Sequence, residues 1–224
     1  FDHNEQTLRI LVSLEQRYAA FDGLNLTWET LEGVVKHNGP LTGFHKCETS
    51  VPQSILHYCE GHDLELDTFA GPEAQVAAIA DDIAYDNHDI DDGLRAELFT
   101  IEDLFDLPGV GEIFKKAVSN YPNIGKSRQR HEAVRDLIGA MVTDCLTETQ
   151  QRLKEAAPSN VDDIRSLGRP VVSFSEDMHE IDRSLKDFLF SNMYRHDRVN
   201  EMTNKARGVV SDLFTLLLAE PAKL

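Results

Sequence analysis

Cysteine is scarce in this chain of 224 residues, and Cys47, Cys59 and Cys145 include no Cys-x-x-Cys pair. An odd, scattered set excludes a disulfide framework and fits reduced thiols in a cytoplasmic setting. Basic residues are also few: 22 Lys and Arg stand against 39 Asp and Glu, a formal net charge of −17. That balance argues against attraction to duplex nucleic acid or to an anionic membrane, although an anionic substrate can still be held by a local basic pocket or a metal. No apolar run approaches the ~18 residues of a membrane span, and no signal-peptide pattern opens the chain. Internal repeats and low-complexity tracts are missing as well, and no linker separates domains. The expectation is a cytoplasmic protein with one substantial core, or a core with an added helical layer.

What is present is helical periodicity almost throughout. Leu8, Leu11, Val12 and Leu14 share a stripe that predicts a first helix over 4–17. Thr27 can cap a second over 28–37, ended by Gly39-Pro40, and a third covers 51–60. Pro72 suits the first turn of a helix over 72–87, Thr100 caps a brief one, and another spans 110–120. Val134, Leu137, Ile138, Met141, Val142, Cys145 and Leu153 mark one buried side of a long helix over 126–156. Breaks at Ala157-Pro158-Ser159-Asn160 and Gly168-Arg169-Pro170 precede Val171-Val172-Ser173-Phe174, a candidate extended piece. Helices over about 177–195 and 197–219 complete an all-α fold.

Within the alanine-rich helix, Asp81, Tyr85 and Asp89 recur every four residues. At about 100° per residue, Asp89 lies about 80° around the axis from Asp81, and His88 within about 20° of it. Ile79 and Ile83 point the other way. A carboxylate for a hard cation, an aromatic ring one turn on and an acceptor for a sugar hydroxyl one turn further make a nucleotide-sized strip. A solvated acidic face has the same spacing.

The segment Glu73 to Leu94, together with Phe1-Asp2-His3-Asn4-Glu5-Gln6-Thr7-Leu8-Arg9-Ile10 and Leu24-Asn25-Leu26-Thr27-Trp28-Glu29, resembles the bacterial dGTPase-like branch of the HD-domain deoxynucleoside triphosphate triphosphohydrolases. The similarity is densest up to Phe99. It implies an HD-domain-like helical bundle with an appended C-terminal layer, one all-α unit over 1–224. Site-bearing helices would occupy about 1–125 and further helices about 126–224. It also implies hydrolysis of a dNTP to deoxynucleoside and triphosphate with a divalent metal, Mg²⁺ or Mn²⁺, in a homo-oligomer. By motif position Asp81 resembles a metal ligand, Tyr85 the residue packing on the sugar, and Asp89 the acceptor of the 3′-hydroxyl. His3 resembles the histidine that protonates the leaving oxygen, work a near-neutral imidazole can do. Tyr194-Arg195-His196 resembles a short Tyr-x-His element through which Tyr194 would reach the nucleotide. Lys36 can meet a phosphate oxygen, or answer the negative end of its own helix.

The sequence departs from the family at the remaining ligands. His62-Asp63, His88-Asp89 and His196-Asp197 lack the surroundings of the family's His-Asp pair, and the chain starts with Phe. The expectation is that the chain belongs to a longer protein carrying the missing ligands, so that alone it binds metal poorly and is inactive. The alternative is a catalytically incomplete nucleotide-binding or assembly module.

Other motifs compete less well. His45, Cys47, His57, Cys59 and His62 offer zinc-type ligands at spacings that fit no common motif. Leu107-Pro108-Gly109-Val110-Gly111 imitates a phosphate-gripping hairpin, but the acidic stretch before it would repel a phosphate. Asp86 to Gly93 mimics a calcium loop and puts Ile90 where an acidic ligand belongs.

Overall fold

The computed structural model describes residues 2–43 and 50–223, and among these the regular structure is helical, with no strand ladder. The helices are α1 His3–Arg9, α2 Trp28–Lys36, α3 Gln53–Cys59, α4 Pro72–Arg95, α5 Val110–Asn120, α6 Lys126–Ala156, α7 Val161–Arg165, α8 Glu176–Leu189 and α9 Asp197–Ala219. The bounds of α5, α6 and α9 are those the apolar period predicts. No helix among the described residues is long and apolar enough to cross a membrane. The proposed zinc ligands His45 and Cys47 lie outside the described residues. His57 pairs with Glu60 at 3.3 Å, and the His62 ring stacks on Tyr58.

The chain divides into two compact units that interleave in sequence, residues 1–84 with 141–175 and residues 85–140 with 176–224. Two of the boundaries fall inside α4 and α6, because a long helix can belong to two clusters of contacts in succession, and the third falls just before α8.

The first unit is built around Leu8, Leu31, Val35, Ile55, Leu64 and Leu66. Asp2 caps α1 by accepting the Glu5 N–H at 2.9 Å. The helix then opens into one wide turn, Ile10–Leu14, and stops short of the predicted residue 17. Its end is set by a loop that folds back: Leu24 N–H donates to the Leu11 carbonyl at 2.8 Å and Gly23 N–H to that of Glu15 at 2.7 Å. Thr27 caps α2 by accepting the Thr30 N–H. Gly33 lets α2 lie close to α4, since a Cβ there would come within 2.9 Å of the Ala74 Cβ. Val171 to Phe174 is buried, but its amides meet a side chain: Val171 and Val172 N–H donate to Gln75 Oε1 at 2.8 and 3.1 Å.

The unexpected α7 carries a capping box, Asn160 accepting from Asp163 N–H while the Asp163 carboxylate accepts from Asn160 N–H. It positions Arg165, whose guanidinium grips Glu32 with two bonds of 2.9 and 3.0 Å and lies over the Trp28 ring. Lys36 closes the same network. Its ammonium is enclosed, 3.1 Å from Glu32 and donating to the Glu65 carbonyl and Thr68 Oγ1 at 2.9 and 2.8 Å. Burial pushes the Lys36 pKa down, and Glu32 opposes it; hydrogen bonding to Glu32 raises that of Arg165.

The second unit packs Ile90, Phe99, Leu104, Phe114, Leu137, Leu185 and Leu189, with Phe99 edge-on to Phe188. Here α4 runs eight residues beyond the predicted end at 87, with Ile90 fully buried. Asp91 in this extension accepts from Arg130 Nε at 2.6 Å. Glu97, at φ 56°, and the Leu98 N–H to Gly93 carbonyl bond then terminate the helix. The hairpin-like motif is an ordinary helix entry. Gly109 adopts φ 70° against Ile181, and the Val110 and Gly111 amides donate to Pro108 and Leu107 carbonyls inside the turn.

Candidate active site

A cleft of about 750 Å³ opens in the first unit between α2, the start of α4 and α7. Close approach at Gly33 and Ala74 forms its floor, and small residues Ala77 and Ala78 keep the α4 wall low. Asp81 stands exposed on that wall. His37, the residue following α2, faces the same cleft, with Nδ1 3.1 Å from the Val34 carbonyl. A proton on Nδ1 makes that bond and leaves Nε2 as an acceptor. His3 begins α1 with its ring 6.4 Å from that of His37, so a residue singled out from sequence stands beside the cleft through a partner that was not.

The charge of the cleft decides what it can accept. Glu29, Glu73 and Asp81 are exposed, while Arg165 is already bound to Glu32 and Asp162. An anionic phosphate chain therefore meets net negative charge unless a cation accompanies it. Among the described residues no three His, Cys, Asp or Glu side chains converge as a metal site. A hard dication takes oxygen ligands, and Asp81 is an exposed carboxylate of the kind such an ion accepts. Lys36, offered as a phosphate contact or a helix-end charge, stands in the last turn of α2 with its three donors turned into the core, toward Glu32, Glu65 and Thr68 and not toward the cleft.

Further along α4, in the second unit, Tyr85 is 58% exposed and Asp89 is half-buried. The Tyr194 hydroxyl donates to Asp89 Oδ2 across 105 residues of sequence. Tyr194 sits in a wide turn, Phe190–Tyr194, that follows α8, and the Arg195 N–H donates back to the Phe190 carbonyl to close it. Burial first, then bonding to Asp89 and Tyr85, holds the Tyr194 phenol well above its ordinary pKa. It is a fixed donor at neutral pH. The arrangement leaves the Tyr85 ring as an open platform next to a carboxylate whose orientation is locked, which suits a sugar ring bearing a free hydroxyl. Behind this face Asp86 is buried, and Lys186 of α8 lies 3.7 Å from it and 3.0 Å from Asp182.

Glu32, Arg165 and His37 were not marked as site residues by sequence. Their only local signals, an i,i+4 Glu-Lys pair and a histidine at a helix end, are common on surfaces.

Residues 172–224 match the phosphohydrolase-associated domain family. The whole chain is 58% identical to a deoxyguanosinetriphosphate triphosphohydrolase-like protein of Parvibaculum lavamentivorans, covering 57% of that protein. A protein of the same description from Caulobacter vibrioides is 48% identical over the whole chain, with 56% of its length covered. One from Rhizobium meliloti is 49% identical over 99% of the chain and 55% of its own length. The chain thus spans little more than half the length of the curated relatives it matches.

Proposed function

Along its whole length the chain is a relative of the deoxyguanosinetriphosphate triphosphohydrolase-like proteins, a phosphohydrolase kinship, and from it we propose metal-dependent hydrolysis of deoxynucleoside triphosphates to deoxynucleoside and triphosphate. Tyr85 packs on the deoxyribose, Asp89 accepts the 3′-hydroxyl, and Tyr194 holds Asp89 in place. His3 gives a proton to the departing 5′ oxygen, and His37 stands beside it. Asp81 is one ligand of a divalent cation, Mg²⁺ or Mn²⁺, whose other ligands come from the length of such proteins that this chain does not span. The protein acts as a cytoplasmic homo-oligomer.

The observation that carries this reading is the Asp89–Tyr194 hydrogen bond beside an exposed Tyr85. Tyr85 and Asp89 were singled out by spacing and resemblance, and Tyr194 by resemblance alone. A chance acidic face gives no reason for a tyrosine from another helix to lock one of its carboxylates.

The test is triphosphate release from each dNTP, with Mg²⁺ or Mn²⁺ present and then chelated, in the full-length protein and in this chain. Metal-dependent release by the full-length protein, abolished in Asp81→Ala with helix content retained, supports the proposal. A second reading, a nucleotide-binding module without turnover, rests on the lack of a three-ligand cluster among the described residues. Nucleotide binding without release in either protein would favour it. Full activity in Asp81→Ala would remove Asp81 from the reaction.

A further inference from the structure

Charge is spread unevenly along this chain. Between Glu112 and Glu132 stand five Lys or Arg residues and no Asp or Glu, in a protein with 39 acidic residues and a formal net charge of −17. The stretch comprises most of α5, the loop over 121–125 and the start of α6, all within the second unit. Because the loop is short, Lys116, Lys126 and Arg128 share one end of the helix pair, and all three are exposed. Two bonds fix the scaffold beneath them. Gln129 Nε2 donates to the Tyr121 carbonyl at 2.9 Å, tying the loop to α6, and Arg130 Nε donates to Asp91 at 2.6 Å, tying α6 to α4. Arg130 is thereby neutralised. Among the described residues no carboxylate forms an ion pair with Lys116, Lys126 or Arg128.

The fold gives no reason for the last two charges. The start of a helix carries partial positive charge, which favours acids in the first turn and disfavours cations. Helices α1, α2, α4, α5, α7, α8 and α9 each place an Asp or Glu there, whereas α6 has none and opens with Lys126 and Arg128. Lys116, one turn before the end of α5, suits its own helix, so Lys126 and Arg128 are the diagnostic pair. Exposed, unpaired cations set against the local field are accounted for by a ligand of opposite sign.

The surroundings define that ligand. The cationic island is short, Glu112 and Glu132 bound it in sequence, and the rest of the protein is strongly acidic. A nucleic-acid strand carries one charge per nucleotide and would run off the island onto repelling surface. An inorganic phosphate chain has no sugar or base between its charges, so it matches a few cations within a small area. The Arg128 fork can take two of its oxygens at once, and each lysine offers a mobile point charge.

We propose that the α5–α6 end is a binding site for a short inorganic oligophosphate, with Lys116, Lys126 and Arg128 as its cations. The reaction proposed above releases triphosphate, a member of this class. Naming that product as the natural ligand rests on that reading, whereas oligophosphate binding at this end does not.

Calorimetric titration of inorganic triphosphate into the full-length protein, with EDTA present, reads the outcome. The expected Kd is on the order of tens of micromolar at low salt, weakening as salt rises. Lys126→Gln and Arg128→Gln should each weaken binding roughly tenfold, while Lys126→Arg retains it. All three positions tested are exposed, so circular dichroism should be unchanged, and initial rates of dNTP hydrolysis should be unchanged in the same variants. Asp81→Ala should bind triphosphate as the wild type does, which separates this end from the cleft. Absence of triphosphate binding would overturn the proposal, as would binding indifferent to both Gln variants. Orthophosphate binding as tightly as triphosphate would mean general screening of charge, and an oligothymidylate binding more tightly would mean a nucleic-acid surface; either result also overturns it. Loss of dNTP turnover with triphosphate binding intact would sink only the proposed reaction.

Discussion

Two clusters of closely similar side chains meet opposite fates in the two units. In the first, Glu32 is sealed between Lys36 and Arg165, and both Glu32 and Lys36 are 1% exposed. In the second, a carboxylate, Asp89, is gripped by one phenol with another standing open to solvent. A buried ion network has all its hydrogen-bonding capacity turned inward, which holds three helical segments together and leaves nothing for a ligand. A half-buried carboxylate locked by a single neutral donor keeps an oriented face. Enclosure, and not residue type, separates the structural charge from the one that the proposed function assigns to binding.

The contrast breaks most sharply at Glu32. Glu32→Ala leaves two buried cations without their carboxylate and should destabilise the first unit by about 3–5 kcal/mol, read by urea denaturation. Replacing Asp89 or Tyr85 should do the reverse. Tyr85→Ala in the full-length protein should lower kcat/KM for dNTP hydrolysis by roughly 10–100-fold, about 1.4–2.7 kcal/mol of transition-state binding. Its thermal midpoint should barely move, because the ring is mostly exposed. An equal loss of stability would mean that Tyr85 is a packing residue.

Alkaline pH sharpens the comparison. Tyr194 has its folded pKa raised above the unfolded value, so its stabilising contribution is complete below the ordinary tyrosine pKa of about 10 and is lost as pH rises beyond it. Stability of the native protein should therefore fall more steeply above pH ~10 than that of Tyr194→Phe, which lacks the titrating phenol. Lys36 works with the opposite sign. Its lowered folded pKa means the unfolded chain binds more protons up to the ordinary lysine value, so stability rises with pH through that window, and Lys36→Met should flatten the rise. Parallel curves for the wild type and both variants would show that neither group is set by its surroundings. The smallest effect is expected at Thr27→Ala, where loss of a long 3.4 Å cap bond to Thr30 should cost about 0.5 kcal/mol of α2 stability.

Much of this molecule was readable before its structure. The limits of α5, α6 and α9 follow from apolar period and breakers, and Thr27 caps α2 as its residue type suggests. The misreadings have local causes. The end of α1 is imposed by the loop at Gly23 and Leu24, whose amides take carbonyls that a longer helix would use. The end of α4 was set eight residues too early, since helix continues through Asp91, which accepts from Arg130, 39 residues away. Asn160 and Asp163 carried a capping signal for α7 that Pro158 masked.

The sequence by itself determined the helical class and the four-residue rhythm of Asp81, Tyr85 and Asp89. It also determined the bounds of α9, because each depends on backbone hydrogen bonds and side-chain positions within one or two turns. Only the tertiary structure decided that Lys36 is enclosed while Asp81 is open, that His3 stands by His37, and that Tyr194 reaches Asp89. Those outcomes depend on which distant segments remove a side chain from water. That is a property of packing between helices, on which spacing along a single helix is silent.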